Sequence, residues 1–215
     1  MSKVTIEIKD CKGLMKKLDN MKDNAEKVMK SPTSDARKRV PGWVAAEVTK
    51  AYGAKKSEIT GKKLGTLKIE GSSFKDLKFI YDGRMLTHTH FSMSPKQPKA
   101  GGGYTLKATI LKGERATLGK VKKLTKKQRA ALIKNLTGSG TKKSDHSPIM
   151  LMRANGGQYL PFQRVSTNRN DIKIRKAISL PQMISNERTK ENIQQSINDN
   201  LSKRIDHHVE RYMKK

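Results

Sequence analysis

Six apolar residues, Ile193, Ile197, Leu201, Ile205, Val209 and Met213, recur at a strict spacing of four. That spacing is close to the helical period, so it predicts a long helix, residues 184–213. Four residues turn a helix through about 400°, so the stripe drifts about 40° per step and about 200° over five steps. A single flat core does not accommodate such a drift. It predicts two packing partners, or else a helix wrapped on one strongly curved subdomain. Ser185 suits the N-cap. Glu187 and Glu191 suit the positive end of the helix dipole, and His207, His208, Arg211, Lys214 and Lys215 the negative end.

Elsewhere the period changes along the chain. Val4, Ile6 and Ile8 alternate with polar residues and predict a short strand. Leu14, Leu18, Met21, Ala25 and Val28 lie on one helical face over residues 11–30, with Ser31-Pro32 as the break. A second helix is expected from Ser34 to Tyr52, with Val44, Val48 and Ala51 inward and Pro41-Gly42 as a point of division. Leu67–Ile69, Leu77–Tyr81 and Tyr104–Ile110 read as antiparallel strands punctuated by Asp82-Gly83 and Gly101-Gly102-Gly103. Ile149–Met152 and Tyr159–Phe162, separated by Asn155-Gly156-Gly157, suit a hairpin with Pro161 on a sheet edge. The expected fold class is α+β in one structural domain: N-terminal strand and helices (1–60), a central mostly antiparallel sheet region (64–165) with a basic insertion (112–147), and the C-terminal helix.

Charge narrows the partners. There are 47 Lys+Arg against 19 Asp+Glu, a net +28, with an aromatic share of 5%. Such a chain repels itself and suits an acidic neighbour: nucleic acid, an anionic surface or acidic subunits. Residues 112–143 hold eleven Lys/Arg and one acid, Glu114. Within them Thr125-Lys126-Lys127-Gln128 has capping-box spacing, and a short helix to Leu136 follows. Lysine clusters bind phosphate by counterion release, but no Phe, Tyr or Trp lies between Tyr104 and Tyr159 to stack on bases.

Enzymatic motifs are missing. Cys11 is the one cysteine, which excludes an internal disulfide and a cysteine-based zinc cage. The Gly101 run lacks the Lys-Ser/Thr of a phosphate-binding loop, and no Gly-x-Ser-x-Gly or His-Glu-x-x-His occurs. His88-Thr-His90 puts two imidazoles close in sequence without a third ligand nearby, which favours a surface pair over a metal site. His207 and His208 project about 100° apart on a helix and fit a charge role better than a bidentate one. No cofactor, metal or catalysis is expected. No signal-peptide core and no run of about 18 apolar residues occurs, so no membrane is expected either.

Leu180-Pro181-Gln182-Met183-Ile184-Ser185-Asn186-Glu187 leads into the terminal helix with Lys203-Arg204, His207-His208 and Glu210-Arg211. This resembles the C-terminal signature of the phage minor tail protein Z family, in which a Val/Leu-Pro-Gln-Met turn enters a long helix with a Lys-Arg…His-Glu…Arg tail. Val40–Tyr52, Ala54–Ile59, Leu86–Phe91 with Ser94-Pro95, Tyr104–Gly113 and Leu160-Pro161-Phe162 fit in the same order. The likeness spans residues 35–213, and Ala177-Ile178-Ser179 stands where the pattern has Gly-Pro-Ser. The resemblance implies a virion protein assembled in the host cytoplasm, acting in tail completion and head–tail joining. It also implies several copies around a six-fold tube, beside the terminator ring and tube subunits. The alternatives are a tail terminator ring subunit and a sequence-independent nucleic-acid-binding protein.

Subunit contacts are expected at Leu180, Pro181, Gln182 and Met183, which set the helix entry angle. The stripe Ile193, Ile197, Leu201, Ile205 and Val209 is expected to bury both core and neighbour. Lys120, Lys122, Lys123, Lys126 and Lys127 are expected to meet an acidic partner or DNA.

Overall fold

The computed structural model describes residues 2–8, 25–60, 63–74, 76–100, 103–121, 149–164 and 171–213. The chain is α+β, and its strands pair antiparallel throughout the described residues. Instead of one domain it forms two compact units. The first joins Met1–Met85 to Ile178–Lys215, and the second, Leu86–Ala177, is inserted between them. Residues 11–24 of the helix expected over 11–30, and the features of 122–148, including Lys122, Lys123, Lys126 and Lys127, lie outside the described residues.

The first unit contains β1 (Ser2–Glu7), α1 (Ala25–Ala51), α2 (Lys56–Thr60), β2 (Thr66–Glu70), β3 (Lys78–Gly83), α3 (Leu180–Ser185) and α4 (Glu187–Met213). Its sheet has the order β1-β3-β2, with Val4 opposite Tyr81 and Leu67 opposite Tyr81 from the other side. Ile6, Phe79 and Tyr81 are buried, and α3 packs against β1 and β3.

Neither Ser31-Pro32 nor Pro41-Gly42 ends a helix: α1 runs through both prolines. Each proline removes one amide donor and costs about 3 kcal/mol in a helix interior. Against this, Ala36, Val40, Val44, Ala45 and Val48 are fully buried. Burying a valine contributes about 1.5–3 kcal/mol, so three valines offset two prolines. Their partner is α4, the element with which α1 makes its main contact. Val40, Val44 and Val48 are four apart, as are Ile193, Ile197, Leu201 and Ile205. Both rows are ridges of the kind that interdigitate when two helices pack.

The second unit comprises a 3-10 turn (His88–Phe91), β4 (Tyr104–Ala108), β5 (Ala116–Val121), β6 (Ile149–Arg153), β7 (Tyr159–Arg164) and β8 (Ile172–Ile174). The expected central sheet is therefore divided, with β1-β3-β2 in the first unit and β4-β5 and β6-β7-β8 in the second. Met93, Leu106, Ala108, Leu118, Ile149 and Leu151 form the second unit's core. A bulge falls where Leu106 opposes Gly119 and Lys107 opposes Thr117. Gly119 has φ +152°, and a Cβ there would lie 2.8 Å from Ile149 Cδ1, so a larger residue would collide with the core. Pro161 sits in β7, the middle strand, not at an edge. No helix among the described residues is long and apolar enough to cross a membrane.

Candidate functional surfaces

The Leu180–Ile184 segment is a capped helix instead of a turn. Ser179, extended and fully buried, is its N-cap, and Gln182 completes a capping box. Gln182 N donates to Ser179 Oγ at 3.4 Å, and Ser179 N donates to Gln182 Oε1 at 3.0 Å. Ser2 Oγ lies 2.6 Å from Ser179 Oγ and 2.9 Å from the Gly83 carbonyl. Each hydroxyl has one proton. Ser179 Oγ also lies 2.9 Å from Gln182 Oε1, so the two hydroxyl protons are shared among three contacts: to the Gly83 carbonyl, to Gln182, and between the two serines. Gly83 also gives Pro181 room, since a Cβ there would stand 3.1 Å from Pro181 Cδ. The spacing Ser179-x-x-Gln182 carries this cap in the sequence; Ser2 leaves no such trace.

The N-cap of α4 is Asn186, not Ser185: its Oδ1 accepts from Arg188 N at 3.1 Å. Buried Thr189 donates its hydroxyl to the Met183 carbonyl, fastening α4 to the end of α3.

The tail of α4 converges on Asp35 of α1. His208 Nε2 lies 3.2 Å from Asp35 Oδ2, Arg204 Nε 3.7 Å from the same oxygen, and Arg39 Nε 3.8 Å from Oδ1. Burial works against the Asp35 carboxylate. The His208 hydrogen bond and the Arg204 and Arg39 charges outweigh it, holding its pKa below the ordinary value. His208 thus has a partner on another helix, in addition to any role at its own helix end. Beside this cluster Ser31, His208, Arg211 and Tyr212 line a cavity of about 200 Å³.

In the second unit His88 is 2% exposed, so the His88–His90 motif is not a surface pair. His88 Nδ1 lies 3.0 Å from the Arg175 carbonyl. The reason lies in Pro161. Arg175 N donates to Pro161 O at 2.8 Å, the first half of a reciprocal ladder pair. Proline has no N–H to return, which leaves the Arg175 carbonyl open, and His88 fills it. Burial lowers the His88 pKa, helped by the Arg175 charge and opposed by this hydrogen bond. Thr89, Met93, Lys96, Gln97 and Tyr159 line a nearby cleft of about 290 Å³.

The residues expected at subunit contacts divide by exposure. Leu180, Met183, Ile193, Ile197, Leu201 and Ile205 are at most 3% exposed, and Pro181 is buried. They are core of the first unit, filled by the chain's own helices, and are not free surface. Gln182 is exposed and Val209 half-buried. Lys120 is exposed on β5. Among the described residues no group of three His, Cys, Asp or Glu could hold a metal ion. Compared with known proteins, the chain matches no family model, no curated protein and no solved structure.

Proposed function

We propose that this chain is a structural phage-type tail protein acting in tail completion and head–tail joining at the head-proximal end. The observation that carries the reading is the use made of the residues that resemble the minor tail protein Z family. Leu180 and Met183 enter the core, Pro181 seats against Gly83, and Gln182 caps α3. Arg204 and His208, from the basic tail of the same pattern, hold Asp35. The motif therefore fixes how α4 leaves the sheet and where its last turns lie against α1. A rigid helix of this kind suits a mechanical role, in which copies set their register by shape. Neighbouring copies, the terminator ring and tube subunits would then meet the polar outer face of α4 and exposed Tyr212, because Ile193, Ile197, Leu201 and Ile205 are already buried.

The test is electron microscopy of particles made after deletion of the gene from its parent phage or prophage. Tails of normal length lying apart from full heads are expected. Intact infectious particles would overturn the reading, and irregularly long tails would reassign the chain to length termination.

A further inference from the structure

The excess charge is unevenly shared. Among side chains described in the first unit, seventeen Lys/Arg face twelve Asp/Glu, whereas in the second unit ten face two, Glu114 and Asp171. Lys50, Lys68, Lys78, Arg39 and Arg204 of the first unit each reach a carboxylate.

The β4–β5 hairpin gives this excess a geometry. Leu106, Ala108 and Leu118 point into the core. The opposite face carries two cross-strand pairs, Lys107 opposite Thr117 and Thr105 opposite Lys120. Lys107, Thr117 and Lys120 are exposed, as are Lys112 and Arg115 in the connection between the two strands. Along β4 the two Lys–Thr rows are two residues apart, about 7 Å, and the bulge makes the spacing three residues along β5. Ammonium and hydroxyl groups are the side chains that contact nucleic-acid phosphates.

We propose that this face of the hairpin binds the phosphate backbone of double-helical DNA without regard to sequence. Two absences among the described residues favour that partner. A protein interface needs an apolar or aromatic centre and is depleted in lysine. The one large apolar side chain exposed in this unit is Met152, which lies on β6. Single-strand binding needs exposed aromatic platforms. Here Phe91 is buried, Tyr104 and Tyr159 are packed against the core, and Phe162 is half-buried. Phosphate contact is what remains. The inference is independent of the tail reading, because the purified chain suffices to test it.

The experiment is fluorescence anisotropy of the full chain with two labelled 20-base-pair duplexes of unrelated sequence, titrated with salt. Equal affinity for both is expected, with a linear fall of log K against log salt. Each phosphate contact contributes about 0.9 to that slope, so Lys107→Gln/Lys120→Gln should lower it by about 2. Between 50 and 200 mM salt the double variant should therefore lose about twelvefold less affinity than the parent chain. Lys50→Gln/Lys68→Gln, on ion-paired lysines of the first unit, should leave the slope unchanged, and circular dichroism should show both variants folded. An unchanged slope in the hairpin variant, or a tenfold preference between duplexes, overturns the proposal. Polyglutamate displacing the duplex at matched charge concentration would also overturn it, reassigning the face to an acidic protein.

Discussion

His88 Nδ1 reaches the Arg175 carbonyl at 3.0 Å because Pro161, across the ladder, has no amide to offer it. A buried histidine is here the repair of a proline in a middle strand. Removing the repair should leave a partly buried carbonyl unserved, at a cost of about 1–3 kcal/mol. We expect that loss in His88→Ala, and a smaller one when Pro161→Val is also present, because residue 161 then regains an N–H aimed at the same carbonyl. Urea denaturation of the four forms measures the coupling. Strictly additive costs would mean that the two residues do not share this acceptor.

The same histidine makes stability depend on pH in a definite direction. Its folded pKa is lowered, so the unfolded chain takes up a proton first as pH falls. Stability from this group is complete above the unfolded value, about 6.5, and declines as pH drops through it toward the folded value. Comparing urea midpoints at pH 8 and pH 5, we expect the parent chain to lose more than His88→Gln. Equal losses in the two would remove His88 from the account.

Asp35 acts lower on the scale. Its folded pKa is depressed, so its contribution is present above the ordinary carboxylate value and lost as pH falls through the folded one. Asp35→Asn also leaves Arg204 and His208 facing a neutral amide, and we expect it to cost about 1–2 kcal/mol at pH 7. The difference should narrow between pH 7 and pH 2, because the parent carboxyl takes up a proton as pH falls through its lowered pKa. Denaturation of both proteins at the two pH values checks this; a gap that persists undiminished at pH 2 would point to packing instead of charge.

Leu201 separates folding from assembly. It is 3% exposed within its own unit, so Leu201→Ala should lose about 2–5 kcal/mol in the purified chain. Leu201→Asp should leave the first unit unfolded and so prevent incorporation into particles. A normally stable Leu201→Ala chain that nonetheless fails to assemble would return this residue to an intersubunit role.

How much of this was legible depends on the range of the interaction. The C-terminal helix, the strand around Phe79 and the 149–162 hairpin show in the local period, because one face of each is buried. Pro32 and Pro41 misled, since the local penalty is outweighed by the row Ala36–Val48 meeting a helix far along the chain. The cap of α3 was available in Ser179-x-x-Gln182. The Asp35–His208 contact was not: its partners are 173 positions apart, and nothing near Asp35 distinguishes it from any surface carboxylate. The division into three sheets among the described residues is likewise a matter of which strands pair, and alternation alone does not select partners.

The Ser2–Ser179 contact spans 177 positions, and the segment between includes the whole inserted unit. On the ribosome, residues 86–177 therefore emerge complete while the first unit still lacks α3 and α4. At common elongation rates the apolar row of α1 waits on the order of 10 s for the helix that covers it. During that interval α1 is exposed to chaperones and proteases, and in a cell making many copies at once it is exposed to other nascent chains. The unit whose β1 and α1 precede the insertion thus finishes folding after it.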